Sequence, residues 1–399
     1  MRRIAWLLGA PFLAWWGTWL AAALAGTGAL RRARAARTPV TSGHVDVIIP
    51  AHDEERNLPV LLRSLGLPDG APGLGRVLVI ADHCSDGTAD VARDLGARVL
   101  RRETGPRGKP AALRDGLAWY AGQDGRGDGL LFIDADCRCS PGLPAHVVEA
   151  LRRAPVVQTA NLVGDGGGDS AAGGVALGMY LRNLLRPAGL ARIGAPAMLS
   201  GTGMAVRADH LDLMAFGDEQ AEDLALSRRL LARGVRVGFV PAARVTSDAP
   251  PDRAGLTAQR ERWEGGSLRA MAGVPGVAIR LAARGDWRGL IALTDSSAPP
   301  LALAVAGWAG LAGASGVAVL FGARRSVVTP AVLAAGLLAA YLGVGATAAH
   351  GRSGVLRLAR QVPGFLAWKL GVYGRMAGGR ASGGWERTPR EARSTTERG

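Results

Sequence analysis

The chain has 399 residues, 48% of them hydrophobic, and a formal net charge of +15 at neutral pH. That length allows one large domain or two small ones. The basic excess would suit nucleic acid, but no zinc-finger spacing, RNP-type aromatic pattern or other nucleic-acid module is present, which excludes that class. The arginines instead flank apolar runs, so anionic membrane lipid is the simpler partner.

The first apolar run, residues 4–30, carries no charge. It is long enough to cross a bilayer, which takes about 20 apolar residues. A cleaved leader with Arg2 and Arg3 as its basic start is the competing reading, opposed by a run far longer than the roughly 7–15 apolar residues of such leaders. Arg31, Arg32, Arg34 and Arg37 follow the run, against Arg2 and Arg3 before it. The positive-inside rule then places the following domain in the cytoplasm, with the chain anchored in the cell (inner) membrane as a multi-pass protein.

The next segment alternates strands and helices. A strand at 45–50 runs into Ala51-His52-Asp53-Glu54-Glu55, and a helix follows over 58–65. A strand at 76–81 ends at Asp82, with a helix over 88–95 and a short strand at 97–100. Gly105-Pro106-Arg107-Gly108-Lys109 opens a helix through 121. A strand at 129–133 ends in Asp134-Ala135-Asp136. Apolar strands alternating with helices predict an α/β fold with a mostly parallel sheet covered on both faces. Ligands bind such sheets at the carboxyl ends of the strands, where these polar residues gather.

Beyond the Asp pair, the glycine-rich stretch 164–174 reads as a flexible loop. Gly201-Thr202-Gly203-Met204-Ala205, then Glu222-Asp223 before a helix, then a short strand at 235–240 follow. Gln259-Arg260-Glu261-Arg262-Trp263 comes next. Residues 273–295 mix apolar residues with arginine, as an interfacial helix does. Uncharged runs at 301–323 and 327–349 form a membrane hairpin, and the tail is again arginine-rich. No internal repeat is present. Cys84, Cys137 and Cys139 form no even framework, which fits a reducing compartment.

Two carboxylates closing an apolar strand are costly to bury unpaired. A divalent cation with a taste for hard oxygen, Mg²⁺ or Mn²⁺, would neutralise Asp134 and Asp136 and bridge them to a phosphate. A solvated turn is the bland alternative. Asp82 can accept from a base or a ribose hydroxyl, or cap the next helix. Lys109 at a helix start suits phosphate, or is a surface lysine; only Lys109 and Lys369 are lysines in this arginine-biased chain. Glu222-Asp223 can supply a general base, or acid for a helix's first turn. Gln259, Arg262 and Trp263 combine an amide, a phosphate-gripping fork and an indole face, or anchor an amphipathic helix.

Taken in order, these motifs resemble the family 2 glycosyltransferases of GT-A fold, especially their membrane-bound cellulose-synthase-like branch. The carrying residues are Pro50 to Glu55, the stretch 81–92, Gly108-Lys109-Pro110-Ala111-Ala112-Leu113, Asp134-x-Asp136, Gly201 to Ala205, Glu222-Asp223 and Gln259-x-x-Arg262-Trp263. Trp385-Glu386-Arg387-Thr388 resembles the tail of bacterial members. The resemblance covers about 45–390. His52-Asp53 stands where the family usually has Tyr-Asn.

The resemblance implies transfer of a sugar, with inversion, from a nucleotide-sugar donor, a UDP-sugar, to a lipid or glycan acceptor. Glu54, Asp82, Lys109 and Asp134 would hold the donor nucleotide, and Asp136 the metal. Asp223 would be the base. Glu222, Gln259, Arg262 and Trp263 would line the acceptor and pyrophosphate. The expected layout is a membrane helix and basic flank (1–37), a GT-A domain (38–270), an interfacial segment (271–300), a membrane hairpin (301–350) and a basic tail (351–399). Competing readings are the catalytic subunit of a processive polysaccharide synthase that needs a partner subunit, which three spans oppose, and an inactive membrane scaffold, which the intact acidic set opposes.

Overall fold

The computed structural model describes residues 2–165, 169–217, 221–250 and 252–377. A long helix α1 (Arg2–Ala35) leads into β1 (Val45–Ala51), α2 (Leu58–Leu65), β2 (Leu74–Asp82), α3 (Thr88–Asp94), β3 (Arg98–Arg102), α4 (Lys109–Ala121) and β4 (Gly129–Phe132). Next come β5 (Cys137–Cys139), α5 (Leu143–Leu151), β6 (Val156–Val163), α6 (Ser170–Tyr180), a π-helical turn (Leu181–Leu185), α7 (Arg186–Leu190), β7 (Met204–Arg207), α8 (Glu222–Ala232) and β8 (Val237–Ser247). The chain closes with α9 (Arg253–Ala270), α10 (Val274–Ala283), α11 (Trp287–Ser296), α12 (Leu301–Leu320), α13 (Thr329–His350) and α14 (Gly354–Ala377).

The strands form one sheet in the order β3-β2-β1-β4-β7-β6-β8-β5. The first four are parallel, and β6 is parallel to β8. β7 runs antiparallel to both neighbours, and β5 antiparallel to β8. The expected α/β sheet is therefore present, and β7 is the reversal that the early βαβ pattern did not contain. Alternation along β1 shows how both faces are buried. Val47 and Ile49 pack with Leu58 and Leu61 of α2 and Val147 of α5. Ile48 points the other way, toward Leu113 of α4 and Leu226 of α8. Each such fully buried aliphatic side chain contributes roughly 1.5–3 kcal/mol, so the strand ends carrying the polar residues are rigidly fixed.

Three helices, α1, α12 and α13, are long and apolar enough to cross a membrane. α1 is also seated directly on the sheet-bearing part. Trp16 and Trp19 are buried against Leu184 and Leu185 of the π-helical turn. The contact depends on two glycines. A Cβ on Gly26 would lie 2.1 Å from the Leu185 carbonyl oxygen, and one on Gly189 would lie 1.9 Å from that of Ala22. Only bare backbone fits where the two helices touch.

Several expectations need amendment. The glycine-rich stretch is helical from Ser170 onward, and its residues 166–168 lie outside the described residues. Asp169 caps α6, its carboxylate accepting from the Ala171 and Ala172 amides at 2.8 and 3.0 Å. Gly173 and Gly174 lie inside that helix, against Gln361 and Phe365 of α14. Their glycines mark close helix packing rather than looseness. The interfacial segment is two short helices, α10 and α11, and the strand expected at 235–240 extends to Ser247. Trp385 to Thr388 lie outside the described residues.

Candidate active site

The site is built on the carboxyl end of β4 and the amino ends of α4 and α8. Asp134 and Asp136 follow β4, and the Asp134 amide donates to Thr202 Oγ1 at 3.0 Å. Lys109 is the first residue of α4, reached through Gly108 at a φ of 111°. Its ammonium lies 2.6 Å from Asp134 Oδ1, donates to the Gly201 carbonyl at 2.7 Å and sits 3.9 Å from Glu222 Oε1. Gly201, at a φ of 80°, lies between Lys109 and Asp223: a Cβ there would be 3.6 Å from Nζ and 3.4 Å from Asp223 Oδ2. A chain crossing this gap without a side chain brings α4 and α8 within reach of each other.

The electrostatics are those of a crowded acidic site with one bonded ammonium. Burial disfavours the Lys109 charge, but Asp134 and Glu222, helped by Asp223, hold its pKa well above the ordinary lysine value. Burial pushes Glu222 up to about 7; Lys109 pulls it down and Asp223 pushes it further up. Burial likewise raises Asp223, against Lys109 and the Leu224 amide, which donates to its carboxylate at 2.7 Å. A carboxyl held above its usual range is poised to accept a proton near neutral pH.

Asp82 is placed at the same sheet edge but is occupied. One oxygen accepts from Arg102 and from the His83 ring, the latter at 2.8 Å. The other accepts from the Gly108 amide at 2.9 Å. Asp82 thus ties β2 and β3 to the turn that presents Lys109. Glu54 accepts from Asn57 at 2.6 Å, and its amide donates to Thr88 Oγ1 at 2.7 Å, fastening β1 to α3. Asp53, at a φ of 53°, accepts from the Ser85 amide at 2.6 Å. With His52 and Cys84 it forms a group whose ligand atoms lie within 4.8 Å of one another. His52 Nδ1 is 2.7 Å from the Asp82 carbonyl oxygen, so this group fastens loops.

One cavity of about 1090 Å³ joins the acidic end to the membrane helices. Lys109, Asp134, Asp136, Glu222 and Asp223 line one part of its wall. Trp19, Leu338, Tyr341 and Leu342, from α1 and α13, line another. Arg262 and Trp263 line it as expected. Gln259 does not: it is 2% exposed, its Oε1 has no partner, and it faces the protein interior. Sequence reasoning missed Arg182, Arg186 and Arg260 on this wall. Arg260 stood inside the Gln-x-x-Arg-Trp motif. Arg182 and Arg186 had one usable signal, charge within an otherwise apolar helical run.

The acidic end fits a divalent cation. Four carboxylates, Asp134, Asp136, Glu222 and Asp223, line it around one ammonium. Lys109 takes up Asp134 Oδ1 at 2.6 Å. Hard oxygen ligands at a cavity wall are what Mg²⁺ and Mn²⁺ take.

Comparison with known proteins agrees with this geometry. Residues 42–266 match the family described as "Glycosyltransferase like family 2". A 4,4'-diaponeurosporenoate glycosyltransferase of Staphylococcus haemolyticus is 31% identical over 111 residues. That match spans 28% of this chain and 28% of the relative's length. A solved mannosyltransferase of Pyrobaculum calidifontis, in complex with GDP-Man and Mn²⁺, covers 93% of this chain and 99% of its own, with a TM-score of 0.52 and 19% identity. At that identity the likeness speaks for the fold alone.

Proposed function

Because the chain belongs to glycosyltransferase family 2, as a transferase of GT-A fold, we propose that it moves a sugar from a nucleotide-sugar donor onto an acceptor arriving from the membrane. The observation that carries this reading is the continuous cavity from the acidic cluster to α1 and α13. A wall that runs from the acidic cluster to apolar helices suits an acceptor with an apolar tail.

The donor nucleotide, a UDP-sugar first among candidates, lies along the strand ends, with Glu54 and Asp82 behind the loops that shape its nucleoside end. Lys109 and Arg262 face its phosphates. Asp136, with Asp134, would hold Mn²⁺ or Mg²⁺, which supplies charge stabilisation to the leaving diphosphate when bound. Asp223 takes the proton of the acceptor hydroxyl, whose oxygen attacks the anomeric carbon in line and inverts it. Its raised pKa, set by burial against Lys109 and the Leu224 amide, suits that task. Trp263 offers a face to the acceptor. The Gln259-x-x-Arg262-Trp263 triplet supports the cellulose-synthase-like branch. The basic flank after α1 supports a cytoplasmic catalytic domain over about residues 38–270, at the inner membrane.

The test uses purified full chain in neutral detergent with membrane lipid extract, Mn²⁺ and a panel of UDP- and GDP-sugars. The expected result is nucleoside diphosphate release that needs both lipid and metal and disappears in Asp223→Asn. Release that is indifferent to lipid and unchanged in Asp223→Asn would overturn the proposal.

A further inference from the structure

The membrane-facing part of the cavity wall holds more positive charge than its carboxylates can answer. Four cations gather there. Arg186 pairs with Asp295 at 3.2 Å and stacks on Trp19, its guanidinium carbon 4.4 Å from the ring centroid. Lys369 of α14 pairs with Glu264. Arg182 and Arg260 are left over. Arg260 is 9% exposed, and its Nε and Nη2 have no hydrogen-bond partner. Its guanidinium carbon lies 4.3 Å from the Trp263 ring centroid, so its face is satisfied while its edge is not. Arg182 is exposed into the cavity and makes no ion pair or hydrogen bond among the described residues.

Burying a guanidinium with unmet N–H groups is costly unless a partner arrives. Burial pushes Arg260 down to about 10, Glu264 opposing and Arg182 adding to the shift. Desolvation within the cavity also lowers Arg182, Arg186 adding to it and Asp295, Asp223 and Glu264 opposing. Arg182 and Arg260 therefore repel each other, and Glu264, which acts on both, is already paired with Lys369. The shape answers to a planar, forked recognition of an oxyanion. The donor's phosphates already have Lys109, Arg262 and the acidic pair with its metal. These two arginines sit instead beside Trp263, Lys369 and the helices that enclose the apolar end.

We propose that Arg182 and Arg260 clasp an anionic head group, a phosphate or a carboxylate, of the membrane-lipid acceptor. The inference rests on the reading of this cavity as the acceptor's route. The anion is an anchor: no bond to it forms or breaks, and the attacking oxygen remains the hydroxyl that Asp223 serves. An acceptor of this class is an amphiphile with an apolar tail, an acidic group and a free hydroxyl close by, as in a lipid phosphate that already carries a sugar.

Calorimetry on the full chain in neutral detergent tests it, with geranylgeranyl phosphate, geranylgeranoic acid, geranylgeraniol and inorganic phosphate as probes. Both anionic lipids should bind about tenfold tighter than the alcohol, or better, given the strength of charge-assisted contacts. Arg182→Gln and Arg260→Gln should each remove most of that preference while Mn²⁺-dependent UDP affinity holds. Should Arg260→Gln fail to fold, Arg182→Gln carries the test, because its side chain stands in open cavity. Equal binding of alcohol and anions overturns the proposal. So does inorganic phosphate that binds as tightly as the lipid phosphate, or variants that weaken UDP and leave lipid untouched. An anionic-lipid preference without any sugar transfer would instead overturn the proposed function and leave the arginine clasp standing.

Discussion

The two ends of the cavity solve the same problem, charge away from water, in opposite ways. At the strand ends, Lys109 bonds Asp134 Oδ1 at 2.6 Å and the Gly201 carbonyl at 2.7 Å, and Asp223 accepts from the Leu224 amide at 2.7 Å, all within the protein. At the membrane end, Arg182 and Arg260 make no ion pair among the described residues, and two nitrogens of Arg260 have no hydrogen-bond partner. One end is internally wired and awaits a cation and a diphosphate. The other carries an excess of positive charge, which the proposed anionic head group would answer. The difference teaches that donor chemistry is written into short motifs at strand ends. On the proposed reading, acceptor selection rests on helices that meet only in the folded molecule.

The largest expected effect separates chemistry from binding at the acidic end. Asp223→Asn should lower the transfer rate by roughly 10²–10⁴-fold, the usual worth of a general base. UDP affinity should stay within about twofold, read by calorimetry. A variant that loses both would place Asp223 in donor binding. Next, Asp136→Ala should abolish the gain in UDP affinity given by Mn²⁺, and EDTA should do the same to the parent protein. Metal-independent UDP binding in the parent would remove the cation from the acidic end.

The third test concerns the wiring. Lys109 lowers the pKa of both Glu222 and Asp223. The ionised base is the active form, so turnover should fall as pH drops through the raised Asp223 value. Lys109→Met removes the cation and should move that acid limb to higher pH by about one unit, equivalent to about 1.4 kcal/mol. It should weaken donor binding as well. A limb that moves to lower pH would contradict the arrangement. The smallest effect is structural. Gly189→Ala should lower thermal stability by roughly 1–3 kcal/mol through overpacking against α1, with UDP affinity retained.

Much of the acidic end was legible in the sequence because strands and helices announce themselves by period. Val47, Ile48 and Ile49 alternate between two cores, and Asp134 and Asp136 follow the strand paired beside them. What was not legible depended on partners far along the chain. Gly173 and Gly174 looked like loop residues, since nothing nearby reveals that Gln361 and Phe365 would press on them. Asp82 reads locally as a base or ribose acceptor or a helix cap, and its bonds to Arg102 and the Gly108 amide are links that no local pattern announces. Gln259 looked like a contact residue, yet α9 turns it inward. Arg182 belongs to no motif, and its isolation is visible only once Arg186 and Lys369 are seen to have taken the carboxylates.

The claim that one cavity joins donor and membrane is tested most directly at Gly178 of α6. It lines the cavity, and a Cβ there would meet nothing within 4 Å. Gly178→Trp should therefore plug the route without disturbing either end. The measurement is transfer of label from a radioactive nucleotide sugar into organic-extractable lipid, with Mn²⁺-dependent UDP affinity measured on the same preparation. The expected result is lost lipid labelling with UDP affinity intact. Undiminished lipid labelling in a folded Gly178→Trp protein would contradict the shared route.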